Sequence, residues 1–379
     1  MSASITKAKS IATLFIQIPN FGLQIFYIQL ILRALNLSSF LLFSYASHHA
    51  RLTMGRSQTS SAMELLFQRR ANLSKPNNRQ DPFNLALILE GGGMRSCVTT
   101  GMCAALSRMR YINCFDQVVA TSAGAMQAPY LLSNQLLASA PSYATDIAKR
   151  RFINTWRACD SYRPIMDLDY LLDHVMKERH PLDFEKMRRV GIPLHVVTTN
   201  CSNGELVALS DFQNQEELHT ALRASAFIPG VGGTEAIPFR GKHLIDGGFS
   251  ALLPEDVARL NGATHLLVLT NLPAGQFHDE PTSNHKRIVG GALANLSSPV
   301  ARSFLLDHAR DNEQLARIRS GSDPTIAHCE MQNGPRINTL CIKRNTIWEG
   351  LETGFTTMCD FLWQPQRQLP KQWRSLKKK

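Results

Sequence analysis

Leu85-Ala86-Leu87-Ile88-Leu89-Glu90-Gly91-Gly92-Gly93-Met94-Arg95-Ser96 is the stretch whose reading decides the fold. Five apolar residues that stop at three glycines read as a short strand buried on both faces. Beyond it Val98, Met102, Ala105, Leu106 and Met109 recur at helical spacing, which predicts a helix over residues 98–109. The alternation then repeats. Val118-Val119-Ala120 reads as a second strand and residues 123–137 as a helix, with Pro129 expected to kink it. Residues 194–198 and 265–270 read as further buried strands, and no internal repeat is present. Strands alternating with helices predict an α/β chain whose mainly parallel sheet is covered on both faces.

Chemistry is expected at the strand-to-helix junctions. Consecutive glycines at 91–93 let backbone N–H groups converge on one point at a helix N-terminus. Such a point suits a phosphate or the oxyanion of acyl transfer. A dinucleotide site would need a glycine where Ser96 stands and an acid after the second strand, whereas Asp116 precedes it. A Walker loop would need a Lys-Ser/Thr pair, which is missing here. At the second junction Ala120-Thr121-Ser122-Ala123-Gly124 places small residues on both sides of a serine, as a nucleophile elbow requires. A plain helix N-cap by Ser122 is the competing reading. Farther on, Asp246-Gly247-Gly248 ends an apolar run and projects a carboxylate at the loop face of the sheet, although Asp-Gly turns are common.

The bulk properties narrow the classes of function. The net charge of +11 resides at the ends: residues 1–63 and 364–379 hold eleven Lys or Arg and no acid, leaving 30 of each sign between them. A nucleic-acid-binding domain would carry its charge on the body, so no nucleic acid is expected. Basic ends suit an anionic membrane surface or a targeting signal, or are simply solvated. Residues 10–32 are uncharged but contain Gln17, Pro19, Asn20, Gln24 and Gln29. A signal anchor, an acid-poor transit segment and an extension removed on maturation all remain open for this stretch. The eight cysteines form no CxxC pair and no metal-ligand spacing, which predicts free thiols, an intracellular setting and no metal. The organisation read from these features is a targeting or anchor segment and linker at 1–80, a catalytic domain at 81–275, an extension packed on it at 276–363 and a basic tail at 364–379. Residues 48–81 read as a polar linker, residues 288–318 as largely helical with a break near Ser297-Ser298-Pro299, and residues 336–342 as a strand. In the tail, Trp373 stands among basic residues that suit either an anionic bilayer or a disordered end.

Taken together, the three chemical segments resemble the patatin-like phospholipases in order and spacing. Ser122 follows Gly93 by 29 residues and Asp246 follows Ser122 by 124. The stretch Ala224-Ser225-Ala226-Phe227-Ile228-Pro229 resembles that family's A-S-x-A-x-P segment, and Trp156-Arg157 with residues 165–172 resembles a bacterial subgroup. The resemblance implies a three-layer α/β/α fold with a C-terminal helical extension, a Ser-Asp dyad, and no metal or organic cofactor. It implies Ser122 as nucleophile, Asp246 as base, and an oxyanion hole from Gly91, Gly92, Gly93, Met94 and Arg95. Ala120, Gly124, Gly247 and Gly248 would support the motif, with Ala120 and Ser96 departing from the family's glycines. Arg95 aligns with a basic position of the family loop that binds substrate phosphate or positions the loop. The implied activity is hydrolysis of a lipid ester at a membrane surface. Acyl transfer by the same dyad and non-catalytic lipid binding are the alternatives, and the oligomeric state is left open. The dyad needs no histidine: His195 is expected in a strand, His219 on the surface of its helix, and His243 on the strand face opposite Asp246.

Overall fold

The structure, a computed structural model, describes residues 61–159, 163–363 and 368–378. The principal elements in chain order are α1 (Ala62–Ala71), β1 (Leu85–Leu89), α2 (Cys97–Arg108), β2 (Gln117–Thr121), α3 (Ala123–Leu132), α4 (Leu136–Ser139), β3 (Leu194–Asn200) and β4 (Leu206–Leu209). They continue as α5 (Gln215–Ser225), β5 (Ile237–Phe239), β6 (Lys242–Asp246), α6 (Glu255–Leu260), β7 (His265–Leu269), α7 (Asp307–Arg319), β8 (Ile326–Cys329), α8 (Arg344–Phe361) and α9 (Lys371–Lys378). The strands join in one sheet of order β5-β6-β3-β2-β1-β7-β8, with β4 also on β3. The pairs β3–β2, β2–β1, β1–β7 and β7–β8 are parallel, so the sheet is mostly parallel.

Period-two alternation gives the sheet two buried faces. Along β1, Leu85, Leu87 and Leu89 enter one apolar cluster with residues of α2, α3, α5 and α8. Ala86 and Ile88 enter the other with Val257 of α6 and Leu315 of α7. The result is a three-layer α/β/α fold. Helix α3 ends sooner than expected. Asn134 takes the left-handed conformation (φ 57°) and the Gln135 N–H donates to Tyr130 O at 2.8 Å, a glycine-type helix stop made by asparagine. The breaks expected between 288 and 318 are present, with helices at Gly291–Leu296, Ser298–Ser303 and α7.

Four expectations are corrected. Residues 61–81 are no linker: α1 starts at a Ser61–Glu64 capping box, buries Leu65 and Leu66, and sends Arg69 inward to Asp81 at 2.7 Å and Asp116 at 2.5 Å. Residues 336–342 form no strand, because the Asn338 side chain accepts the Leu340 N–H at 2.9 Å and closes a turn; the strand of this region is β8. The tail is no disordered end over 371–378, since α9 buries Trp373 to 1 % exposure against Phe355 and Trp348 while its Lys and Arg side chains stay exposed. His219 is buried on the inner face of α5 beside Leu218 and Leu222. The apolar stretch at 10–32 lies outside the described residues. Among those described, no helix is long and apolar enough to cross a membrane.

Candidate active site

Sheet register brings the two distant motifs together. Val196 and Val197 pair with both β2 and β4, and Thr198 and Thr199 with both β4 and β6. Strand β6 therefore continues the edge of β3 that β2 leaves. Thr121 lies opposite Val197 and Asp246 opposite Thr198, so the next residue after β2, Ser122, meets the last residue of β6. The Ser122 Oγ donates a hydrogen bond to Asp246 Oδ2 at 2.6 Å. Both side chains are buried, at 7 % and 4 % exposure.

The serine sits on a strained turn, φ 53° and ψ −125°, between β2 and α3. Gly124 makes this turn possible, because a Cβ there would stand 2.7 Å from the carbonyl oxygens of Leu89 and Glu90. Ala120, in place of the elbow's usual glycine, packs its methyl fully buried in the core. The Ser122 N–H donates to Ser225 Oγ at 2.9 Å, and that hydroxyl donates to Val197 O at 2.6 Å. The aspartate is held from both ends. The Gly248 N–H donates to Asp246 Oδ1 at 2.7 Å, and Thr199 Oγ1 donates to its main-chain oxygen at 2.9 Å. Burial pushes the Asp246 carboxyl up to about 6, partly offset by the bonds from Ser122 and Gly248.

The glycine loop lies against the serine, with Gly91 close to the Ser122 Cβ. Of the five residues expected to supply N–H groups, three are occupied elsewhere. Met94 donates to Thr339 O at 2.9 Å, Arg95 to Gly92 O at 3.1 Å and, more weakly, Gly91 to Leu252 O at 3.4 Å. Gly92 and Gly93 are left with N–H groups that bond no protein atom among the described residues. The half-buried Arg95 keeps its Nε buried and unpartnered. Beneath the loop Glu90 is fully buried. Its own desolvation would raise its carboxyl, but His278 at 3.1 Å, Arg95 and the Asn271 N–H together hold it below the ordinary range. Asn271 was not legible as a site residue. Its Nδ2 donates to Gly91 O at 3.1 Å and its Oδ1 accepts from Thr99 at 3.0 Å, tying the loop to β7 and α2. Its one signal in the sequence is a polar residue two places after the apolar run of β7. Ser96, where the loop motif has a closing glycine, is buried within 3.5 Å of the same Nδ2.

Ser122, Gly93 and Met94 stand at one end of an apolar cleft whose space, open mouth included, is about 860 Å³. Met126, Tyr130, Leu136, Phe152, Met166 and Leu171 are among its walls. The chain segment between α4 and β3 supplies much of it, including a π-helical run at Tyr170–Arg179. His195 is buried in β3 and His243 is exposed on β6; neither bonds Ser122 or Asp246. His180 lines the cleft but bonds Asp146 at 3.1 Å. Among the described residues no group of His, Cys, Asp or Glu is placed to hold a metal ion, and all eight cysteines are free thiols.

Such a serine, carboxylate and pair of free amides beside an apolar cleft can perform acyl transfer. Comparison with known proteins points the same way. Residues 87–259 match the family described as patatin-like phospholipase. The Escherichia coli protein YjjU is 27% identical over 205 residues, 52% of this chain and 54% of its own length. Human omega-hydroxyceramide transacylase is 43% identical over 61 residues, 16% of this chain and 12% of its own. Human 1-acylglycerol-3-phosphate O-acyltransferase PNPLA3 is 30% identical over 135 residues, 35% of this chain and 27% of its own. The chain thus spans about half the length of the first of these relatives and less of the others.

Proposed function

From a chain that carries a patatin-like phospholipase domain over residues 87–259, we propose a serine acyl hydrolase acting on ester bonds of phospholipids or related lipids. The observation that carries this reading is the 2.6 Å bond from Ser122 Oγ to Asp246 Oδ2, with Ser122 lining an apolar cleft. Ser122 Oγ attacks the ester carbonyl as Asp246 takes its proton. The oxyanion of the tetrahedral intermediate is held by the Gly92 and Gly93 N–H groups and the positive end of α3. Collapse breaks the ester C–O bond, Asp246 returns the proton to the departing alcohol, and the acyl group stays on Ser122. Water then attacks the acyl-enzyme as Asp246 takes its proton; collapse breaks the bond between the acyl carbon and Ser122 Oγ, Asp246 returns the proton to that oxygen, and the fatty acid leaves. A carboxyl near 6 is ionised at neutral pH yet basic enough to accept a proton in flight.

Labelling by a serine-reactive fluorophosphonate tests the nucleophile: the wild-type chain labels and Ser122→Ala does not. Persistent labelling or turnover in Ser122→Ala would remove this reading. Asp246→Asn is expected to lose at least a thousandfold in kcat while the protein stays folded. A second reading, transfer of the acyl group to a lipid alcohol, is favoured by relatives whose names are those of a transacylase and an acyltransferase. Product analysis with a labelled donor lipid and a lysolipid acceptor divides the two. Free fatty acid as the main product supports hydrolysis, and acylated acceptor supports transfer.

A further inference from the structure

A second surface, outside the reacting groups, is built into the wall of the cleft. Phe152 and Ile153 are buried there, and Ile153 bridges Met166, another lining residue. The Asn154 N–H donates to Ile165 O and the Asp167 N–H to Phe152 O, both at 2.9 Å. Residues 154–159 are therefore a largely exposed loop segment on a stem that is itself cleft wall. Trp156 stands on this loop at 77 % exposure, in a short 3-10 turn (Thr155–Cys159) none of whose residues is buried. Of the other tryptophans, Trp348 and Trp373 are in the core, and the half-exposed Trp363 stacks on Phe67 with ring centroids 5.2 Å apart. The Trp156 ring has no aromatic or cationic partner among the described residues.

The charge around it is one-sided. Residues 149–163 contain five Lys or Arg (Lys149, Arg150, Arg151, Arg157, Arg163) and one acid, Asp160, which lies outside the described residues. Lys149, Arg150 and Arg151 are exposed, while Arg157 is half-buried and bonds the main-chain oxygens of Arg151 and Pro164. The carboxylate facing this run, Asp146, is buried and engaged by Arg179 at 2.9 Å and His180 at 3.1 Å, with Lys149 at 3.9 Å. A largely exposed indole with no ring or cationic partner among the described residues and basic side chains near it in sequence belongs at a water–hydrocarbon boundary rather than in water.

We infer that this loop and the Lys149-Arg150-Arg151 run dock the chain on an anionic phospholipid bilayer. Trp156 enters the interfacial layer, the cations contact headgroup phosphates and carboxylates, and the cleft wall is brought against the lipid. The docking rests on the lipid-hydrolase reading for its consequence, delivery of an acyl chain to Ser122, but it is measurable without catalysis.

Co-sedimentation of the full chain with phosphatidylcholine vesicles, with and without phosphatidylserine, tests it. The wild-type chain is expected to bind the phosphatidylserine vesicles more tightly and to release as salt rises. Replacing Lys149, Arg150 and Arg151 together by Gln is expected to weaken binding roughly a hundredfold, about fivefold per charge. Trp156→Ala should weaken it about tenfold, and both variants should keep wild-type turnover of a soluble short-chain ester. Equal binding by wild type and variants overturns the proposal. So does wild-type binding that ignores phosphatidylserine or is absent, as a docking site for an acidic protein would give. The hydrolase reading fails separately, by ester turnover that survives Ser122→Ala whatever the vesicles show.

Discussion

Ser122 depends on its neighbours for its conformation as much as for its chemistry. A non-glycine residue at φ 53° is costly, and the Ser225 hydroxyl holds it there by accepting the Ser122 N–H. Ser225→Ala would leave that buried N–H and the Val197 oxygen unbonded. A loss of roughly 1–3 kcal/mol of stability is expected, with kcat reduced about tenfold or more and KM little changed. Steady-state kinetics on one ester separate the two constants, and a rise in KM alone would assign Ser225 to binding. Asp246 makes two opposed pH predictions. With Asp246 as the proposed base, activity would need the ionised carboxylate, so kcat/KM should rise with pH through about 6. Stability runs the other way. The folded carboxyl holds its proton more tightly than the ordinary value of 3.8, so the stabilisation is complete below about 4 and is lost as pH rises through about 6. Asp246→Asn, which abolishes that titration, should raise the melting temperature at pH 7 and have little effect at pH 4. The proposed pair was picked out because each member follows an apolar strand and has a glycine within the next two residues. Ser225, Thr199 and Asn271 were not legible as its supports, because a hydroxyl or amide that bonds a distant backbone leaves no local pattern.

Among the elements, α2 and α8 show how spacing alone can hide a contact. They cross so closely that a Cβ on Gly101 would lie 2.1 Å from Leu351 O, and one on Gly354 would lie 1.9 Å from Val98 O. Side-chain ridges are absent at the crossing and the backbones meet. Gly354→Ala should push the helices apart and cost about 1–3 kcal/mol or more. Urea unfolding measures it, and a neutral result would mean the crossing relaxes freely. The glycines are visible in the sequence, but their partner lies some 250 residues away, so nothing local declares it. Two other elements carry local signals that went unread: Ser61-x-x-Glu64 is a capping signature for α1, hidden within the polar composition of 48–81, and Ile347, Leu351, Phe355 and Met358 carry helical spacing in α8. The apolar residues of 336–342 mimic a strand, and one Asn338 turn outweighs them. Strands β1, β2, β3 and β7 were clear because both of their faces are buried, which leaves unbroken apolar runs.

At the scale of the molecule, the basic C-terminus is a structural clamp with a charged outer side. Helix α9 inserts Trp373 between Trp348 and Phe355, and its indole N–H donates to Leu137 O at 2.9 Å. Gln372 donates to the same oxygen at 2.8 Å. Leu137 belongs to α4, whose Leu136 and Ser139 line the cleft, so the tail is braced against the wall that would hold an acyl chain. Charge contributes little to this brace. Lys377 pairs with Glu352 at 2.7 Å in a half-exposed setting, worth at most about 0.5–1 kcal/mol. Burial of the indole dominates, and Trp373→Ala should cost roughly 3–5 kcal/mol where Lys377→Ala costs almost nothing. Urea titration of the two variants separates packing from charge, and equal losses would contradict the clamp. The same loosening should reach the site. With α4 unbraced, kcat/KM for a long-chain ester should fall severalfold more in Trp373→Ala than for a short-chain ester that does not fill the cleft. If both substrates lose equally, the tail supports the fold as a whole and has no particular hold on the cleft wall.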